Sequence, residues 1–467
     1  MSRTRAVPLS QTPPLDARAL RSGERVRDLV GIGFGPANMA LAVALEEAER
    51  NGGPGLDRLF LEARLAPCWH PDMLLESSLI QISVLKDLIT PVDPTSRFTF
   101  LNYLKEQGRL FEFLNLRDLF PTRTEFNDYL RWVAGELSAR VRYGRRVRAV
   151  RPVERGGGVE LLEVVTTEPA TGEEERILAR DVVVATGARP WVPPGIEPPG
   201  EAWADRVFHS HEFMTRIERG FPDRGGRHRF VVVGSGQSAA EILYVLMNRY
   251  PKADVSATVR GFGYKPADDS DFTNEVFFPR MVDFFFDLPD ARRTQIVDSF
   301  RDVNYAVVDN PTIRKVYRAI YDERVAGRDR ARVLPYLHLG GVETRGETVL
   351  ARFRDLIRDQ ERLLECDGLV LCTGYRWDKE HPLLEELAPW LETAADGGYR
   401  VLRDYRLAGR AGFAPGVYLQ GYCEATHGIS ETVLSLLAVR ARDIQESVLE
   451  RRAKAPAPQV LAAGVKR

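Results

Sequence analysis

The order of apolar and polar residues states one theme twice. The run Asp28-Leu29-Val30 leads into Gly33-Phe34-Gly35-Pro36-Ala37-Asn38, and a helical periodicity then extends from Met39 to Glu49. Much later, Phe230-Val231-Val232-Val233 leads into Gly234-Ser235-Gly236-Gln237-Ser238-Ala239, with a helical pattern from Ala240 to Asn248. A buried strand, a glycine turn and a helix start form the context in which such a loop cradles a pyrophosphate. The glycines admit the backbone to close range, and the helix N-terminus stabilises the negative charge. One such loop is a weak sign. Two in context predict two dinucleotides held by one chain.

The remaining periodicities fill in an α/β chain. Arg58-Leu59-Phe60-Leu61-Glu62 is a second strand ending in an acid, roughly 25 residues beyond the first glycines, where a carboxylate can bond an adenosine ribose. Two amphipathic helices follow, one with Phe98, Phe100, Leu101 and Leu104 inward, the other with Phe126, Tyr129, Leu130 and Val133. Residues 141–184 read as strands broken at Gly156-Gly157-Gly158. They end in Val182-Val183-Val184-Ala185-Thr186-Gly187, and Cys372-Thr373-Gly374 later repeats that ending. Between these, Pro190, Pro193, Pro194, Pro198 and Pro199 suggest a domain crossing. The strand Asp254 to Val259 ends in Arg260 instead of an acid, which suits a 2′-phosphate and therefore NADPH over NADH. Asp271 to Arg330 is aromatic and helical, as expected of an inserted lobe over a substrate. A strand at Gly416–Gly421 and a helix from Thr432 to Leu449 complete the pattern.

Composition removes several function classes. Lys and Arg number 65 against 66 Asp and Glu, for a net charge of −1, which argues against a nucleic-acid or anionic-membrane surface. No apolar run approaches the roughly 20 residues that span a bilayer, and the first 25 residues lack a signal-like core, so a cytoplasmic location is expected. The four cysteines form no CxxC, which counts against a metal knuckle and against disulfide-reductase chemistry at a flavin. His209 and His211 have no third ligand in pattern, so no metal is expected. Two dinucleotide loops with the twin strand ends Ala185-Thr186-Gly187 and Cys372-Thr373-Gly374 suggest FAD in the first domain and NADPH in the second, and the use left for a flavin so reduced is reaction with oxygen.

In these motifs the chain resembles the flavin-dependent N-hydroxylating monooxygenases of siderophore biosynthesis, from about Arg27 to Leu449. The resemblance rests on the loop ending in Asn38 and on Leu79-Ile80-Gln81-Ile82-Ser83-Val84-Leu85-Lys86-Asp87-Leu88. Asp93-Pro94-Thr95-Ser96, Glu125-Phe126-Asn127-Asp128-Tyr129-Leu130 and Gly234-Ser235-Gly236-Gln237-Ser238 add to it. So do Lys265-Pro266-Ala267-Asp268, Asn274-Glu275-Val276-Phe277, Asn304-Tyr305, Cys372-Thr373-Gly374-Tyr375 and His427-Gly428-Ile429-Ser430-Glu431-Thr432. Cys372 stands where Ala is usual, and Asp271 replaces a frequent Pro. The Baeyer–Villiger and flavin-containing monooxygenases are the runner-up among enzymes. Their FxGxxxH stretch is approached only by Trp203-Ala204-Asp205-Arg206-Val207-Phe208-His209-Ser210, which keeps the His but lacks the Gly.

The resemblance implies two Rossmann-like domains, for FAD and NADPH, with a small, mainly helical substrate lobe. Its expected division is FAD domain 26–196 and 366–450, NADPH domain 197–272 and 330–365, lobe 273–329, and flexible tails 1–25 and 451–467. It implies hydroxylation of a side-chain amine through a hydroperoxide at flavin C4a. Gln81, Gln237 and Asn274 are then catalytic. Gly33, Gly35, Asn38, Glu62, Trp69, His70, Gln81, Gly234, Gly236, Gln237, Ser238, Arg260, Tyr305, Thr373, Gly374 and Tyr375 bind cofactors. Lys86 meets the substrate carboxylate with Asn304 assisting, while Asn274 and Ser435 contact the amine ends; a diamine, lacking the carboxylate, is disfavoured. L-ornithine is the expected substrate and L-lysine the alternative, one methylene apart; a diamine hydroxylase and a non-catalytic nucleotide-binding protein rank below. The partners are O2 and the amino acid, and self-association as a dimer or tetramer is implied.

Overall fold

The computed structural model describes residues 25–76, 78–196, 200 and 203–454. Most of the two tails, together with Pro198 and Pro199, lies outside them. The chain folds around two parallel sheets built on one plan. In the first domain β1 (Val26–Ile32), α1 (Pro36–Arg50) and β2 (Arg58–Leu61) form the opening unit. Helices α2 (Phe100–Glu106), α3 (Leu110–Leu116) and α4 (Arg123–Glu136) follow, then strands β3 (Val141–Arg142), β4 (Arg146–Arg155), β5 (Gly158–Thr167) and β6 (Glu174–Val184). β1 lies between β2 and β6, parallel to both, with β3 beyond β2. β4 and β5 are an antiparallel meander on the first half of β6, turning at Gly156-Gly157 as the sequence suggests.

After the crossing strand β7 (Arg189–Pro190), the second domain runs through β8 (Val207–His209), α5 (Phe213–Gly220), β9 (Arg229–Val233), α6 (Gln237–Arg249) and β10 (Asp254–Thr258). Helices α7 (Arg280–Asp287), α8 (Asp290–Ser299), α9 (Arg301–Asn304) and α10 (Asn310–Val325) come next, then β11 (Ala331–Leu334). An antiparallel layer, β12 (Leu337–Arg345), β13 (Thr348–Asp355) and β14 (Gln360–Cys366), precedes β15 (Gly368–Leu371). The second sheet has the order β11-β10-β9-β15-β8, all parallel. Both faces of a parallel sheet are covered, which is why β9 reads as an unbroken apolar run. The chain returns through β16 (Tyr375–Arg376), paired with β7, to β17 (Gly416–Leu419) on the second half of β6, and ends in α11 (Glu424–His427) and α12 (Leu437–Lys454).

Three boundaries differ from the sequence reading. β15 belongs to the second sheet, so that domain continues past residue 365 to Leu371. α10 is not part of the lobe: its Val316 and Ile320 lie in the second domain's core, where it is the crossover helix before β11. The lobe is therefore the shorter stretch through α9, with its own small core of Val276, Phe285 and Val297 closed by Ile429 from the first domain. The final helix starts at Leu437 and continues to Lys454, beyond the expected tail boundary. It is held there because Arg451 and Arg452 approach the fully buried Asp181 of β6 at 3.5 and 3.3 Å. A buried carboxylate needs such partners, and the charge periodicity of α12 did not reveal one across the sheet.

Candidate active site

The two glycine loops are equivalent down to single hydrogen bonds. Gly33 N–H donates to Leu61 O (2.8 Å), and Gly234 N–H donates to Thr258 O (3.1 Å). Ala185 N–H donates to Ile32 O (2.9 Å), and Cys372 N–H to Val233 O (2.8 Å). Gly33 and Gly234 both have positive φ, +83° and +147°, and a Cβ on either would lie 2.6 Å from Ala185 O or 2.3 Å from Cys372 O. Each loop thus packs on the turn that ends its own sheet's next strand, which only glycine permits. The theme shared by Ala185-Thr186-Gly187 and Cys372-Thr373-Gly374 is explained by this contact. Cys372 serves through its backbone.

Helices α1 and α6 begin at Gly35 and Gly236 with neither a side-chain cap nor an acid in the first turn. By contrast α2, α4 and α10 are capped by Thr99, Thr122 and Asp309. A Cβ at Gly35 would meet nothing within 4 Å, and one at Gly236 nothing closer than 3.7 Å. Two uncapped N-termini, each opening on free space, suit the pyrophosphates of two dinucleotides. Glu62 is fixed against the first loop, its Oε2 accepting Phe34 N–H at 2.8 Å and its Oε1 Arg64 N–H at 2.9 Å. Each oxygen keeps a lone pair for a ribose hydroxyl. Arg260 stands exposed just past β10 with no hydrogen bond or ion pair among the described residues.

Several residues expected to touch cofactor are occupied elsewhere. Asn38 is fully buried: Nδ2 donates to Gly33 O (2.7 Å), and Oδ1 accepts from Gln420 Nε2 (2.9 Å). Its side chain braces the loop from behind and does not line it. Gln420 is bonded by Arg440 (3.2 Å), and Arg440 pairs with the buried Glu431 at 3.0 Å. Gln237 is likewise committed: its Nε2 donates to Glu241 (2.8 Å) and Asp309, and its Oε1 accepts Asp309 N–H (3.0 Å). The amide expected to be catalytic is thus bonded on both its nitrogen and its oxygen, within α6 and to the cap of α10. The Thr373 hydroxyl donates to Trp191 O, and Gly374 O accepts from Trp191 N–H (2.9 Å) and His209 Nε2 (3.0 Å), so both secure the domain crossing. His209 Nδ1 accepts His211 N–H (3.0 Å), which leaves no nitrogen of His209 for a metal. Ser238 makes no side-chain bond among the described residues, and Tyr375 stacks edge-on to His209 (5.3 Å) and His70 (6.5 Å).

On the substrate side, the segment 79–88 is pinned by Ile80 N–H to Pro121 O (3.0 Å) and by a bridge between Leu79 and Thr122. It presents Gln81 to solvent and puts Lys86 on a single helical turn, Val84–Lys86. The Lys86 ammonium is half-buried and has no partner among the described residues, and burial lowers its pKa. That turn packs against Leu434–Leu436, which carries the buried Ser435. The turn Thr273–Phe277, bearing Asn274, packs against Ile429–Thr432. Asn274 Nδ2 donates to Asp269 O (2.9 Å). Asn304 is exposed beside Tyr305, whose hydroxyl bonds Glu424 and, at 3.1 Å, Thr432. The turns of Lys86 and Asn274, together with Tyr305, thereby come from distant parts of the sequence to residues 429–436, which carry Ser435. Trp69 is held by its N–H to Asn127 Oδ1 (2.8 Å) and its ring lies 5.6 Å from Phe126, while His70 is exposed with φ +46°.

Glu241, Gln420, Glu431 and Arg440 were not singled out from sequence as functional residues. For Glu241 and Arg440 the signal was present, a charge inside an apolar run, in Ala239-Ala240-Glu241-Ile242-Leu243 and Ala438-Val439-Arg440-Ala441. A charge there implies a buried partner, though not which one.

Fold and loops define a two-dinucleotide scaffold, with the half-buried Lys86 on a helical turn of the first domain. Over residues 25–377 the sequence matches the L-lysine 6-monooxygenase/L-ornithine 5-monooxygenase family, and the chain belongs to it. It is 43% identical over 429 residues to an L-ornithine N(5)-monooxygenase of Burkholderia cepacia, covering 91% of this chain and 95% of the relative. The ornithine N-hydroxylase of Kutzneria sp. 744, solved with reduced FAD, NADP+ and L-ornithine, superposes with a TM-score of 0.86. The two are 38% identical, covering 92% of this chain and 100% of that one. An L-lysine 6-monooxygenase from Pseudomonas syringae gives a TM-score of 0.81 at 34% identity, covering 91% and 99%. No helix among the described residues is long and apolar enough to cross a membrane.

Proposed function

We propose that this protein hydroxylates the side-chain amine of L-ornithine at N5, with FAD in the first domain, NADPH in the second and O2 as co-substrate. The observation that carries the substrate class is Lys86, a half-buried ammonium without a counter-ion among the described residues. A lone buried cation is costly, and an amino-acid carboxylate offsets that cost. A diamine brings a second positive charge and gains nothing there. The relatives named for ornithine support that choice over lysine.

The chain's own groups account for binding and orientation. The uncapped start of α1, Glu62, Trp69, His70 and Gln81 would hold FAD. The uncapped start of α6, Ser238 and Arg260 would hold NADPH, with Arg260 on the 2′-phosphate. The bound flavin supplies the activation of oxygen. Lys86 holds the carboxylate end of the substrate, Asn304 assists, and Asn274 and Ser435 fix the amine ends. The length between these anchors sets the chain length accepted, and one methylene is worth about 1–3 kcal/mol. The lobe excludes water from the reacting amine.

The test is to supply purified protein with NADPH, O2 and, in turn, ornithine, lysine and putrescine, and to assay the hydroxylamine. Product from ornithine in clear excess supports the proposal. Product from lysine alone moves the assignment to N6, and no product from any amine overturns it.

A further inference from the structure

The second domain is tied to the first by more than its two covalent crossings. After β2, the excursion that carries Trp69 and His70 leaves its own domain. Met73 and Leu75 are buried in the apolar core of the second domain, in one cluster with Phe213, Ala239 and Leu243. Asp72 accepts the N–H of Thr215 in α5 at 2.7 Å. Arg123, the first residue of α4, closes over this excursion. Its Nη1 donates to Met73 O (3.2 Å), and its two terminal nitrogens grip Glu241 of α6 at 2.7 and 2.8 Å.

This ion pair is bidentate and buried, with the two side chains 13% and 7% exposed. Glu241 passes the contact on, since its Oε1 accepts Gln237 Nε2, and Gln237 is bonded to Asp309 at the cap of α10. On the other side, Thr122 next to Arg123 bridges Leu79, two residues before Gln81. A buried ion pair adds little stability over an apolar pair of the same size, whereas its forked geometry restricts orientation. We propose that Arg123 and Glu241 are positioning residues for hydride delivery from NADPH to FAD. They hold the second glycine loop, through Gln237, in register with the segment that bears Gln81 and Lys86. A displacement of about 1 Å at such a step costs up to about a hundredfold in rate. The inference rests on NADPH using the second loop, as proposed above.

The experiment uses FAD-loaded protein and four variants: Arg123→Met, Glu241→Gln, Arg123→Met/Glu241→Met and Arg123→Lys. Anaerobic flavin reduction at saturating NADPH is timed, and hydrogen exchange is measured before NADPH is added. Arg123→Met is expected to slow reduction at least about tenfold while FAD content and the KM for ornithine stay within about twofold. Exchange should rise together in residues 71–78 and 237–241, one segment in each domain. The double variant should be no slower than Arg123→Met, because the two residues share one interaction. Arg123→Lys should recover part of the rate, keeping the charge without the fork.

Reduction within about twofold of the parent in all four variants overturns the proposal. So does an exchange rise confined to one domain, or a loss of FAD and helicity that parallels the rate in every variant, which marks a folding role. Because exchange is read without NADPH, coupled exchange with unchanged reduction in these variants, together with an unchanged NADPH concentration dependence of reduction in Arg260→Ala, counts against the NADPH seat itself.

Discussion

Lys86 and its neighbour Asp87 face opposite environments and do not pair. Asp87 is 2% exposed and turns inward, accepting the N–H groups of Ile89 (2.9 Å), Thr90 (2.6 Å) and Phe100 (2.7 Å) and the Thr90 hydroxyl (2.7 Å). Its charge is spent on folding the loop and capping into α2. Lys86 is thereby left without the adjacent counter-ion that a surface reading would give it.

Removing Lys86 should therefore cost binding and not folding. Lys86→Ala is expected to raise the KM for ornithine about 10- to 100-fold, the range for one lost charged hydrogen bond, with FAD content unchanged. Steady-state kinetics with flavin absorbance checks this. An unchanged KM would remove the carboxylate anchor.

Arg260 lies exposed past β10 with no protein partner among the described residues, so its loss leaves nothing unsatisfied. Arg260→Ala should weaken NADPH by about 1–3 kcal/mol and leave NADH nearly untouched. The two nucleotides are compared by kcat/KM for flavin reduction. Equal losses for both would show that Arg260 does not read the 2′-phosphate.

The buried amide pair behind the first loop makes a stability prediction. Asn38→Ala strands the Gln420 Nε2 donor and frees the carbonyls of Ile32 and Gly33, at a cost of about 1–3 kcal/mol. Thermal melts of FAD-free and FAD-loaded protein should both fall. A drop seen only with FAD bound would indicate direct contact with the cofactor instead.

Three buried histidines set a pH dependence. Burial lowers His209, His381 and His427 to about 4 from an ordinary 6.5, against weaker raising influences from neighbours. Neutral in the fold and protonated when unfolded, they stabilise fully above pH about 6.5, and that contribution is lost as pH falls from there towards 4. Each is worth at most about 1.4 kcal/mol per pH unit in that window. Buried carboxylates such as Asp181 and Glu431, raised by desolvation, act in the opposite sense at the acid end. Denaturant midpoints at pH 7.5, 6.5 and 5.5 should decline, with a shallower slope for His381→Gln. A slope identical to the parent's would show that His381 does not titrate on unfolding.

The two glycine loops, the acid at Glu62, the arginine at Arg260 and the twin Thr-Gly turns were legible in the sequence. Each depends on short-range geometry, because a strand, a tight turn and a helix start are encoded within about a dozen residues. The motif around Lys86 was legible as well, though not its lack of a partner among the described residues. The sequence could not show that Asn38 and Gln237 face inward or that α10 and β15 belong to the second domain. Nor could it show that Met73 and Leu75 cross into that domain's core beneath Arg123 and Glu241. Those outcomes are decided by which buried polar group finds which partner, and the partners lie up to 382 positions apart, as for Asn38 and Gln420. The requirement that a buried amide or charge be satisfied is local, but its satisfaction is settled only when the sheets close.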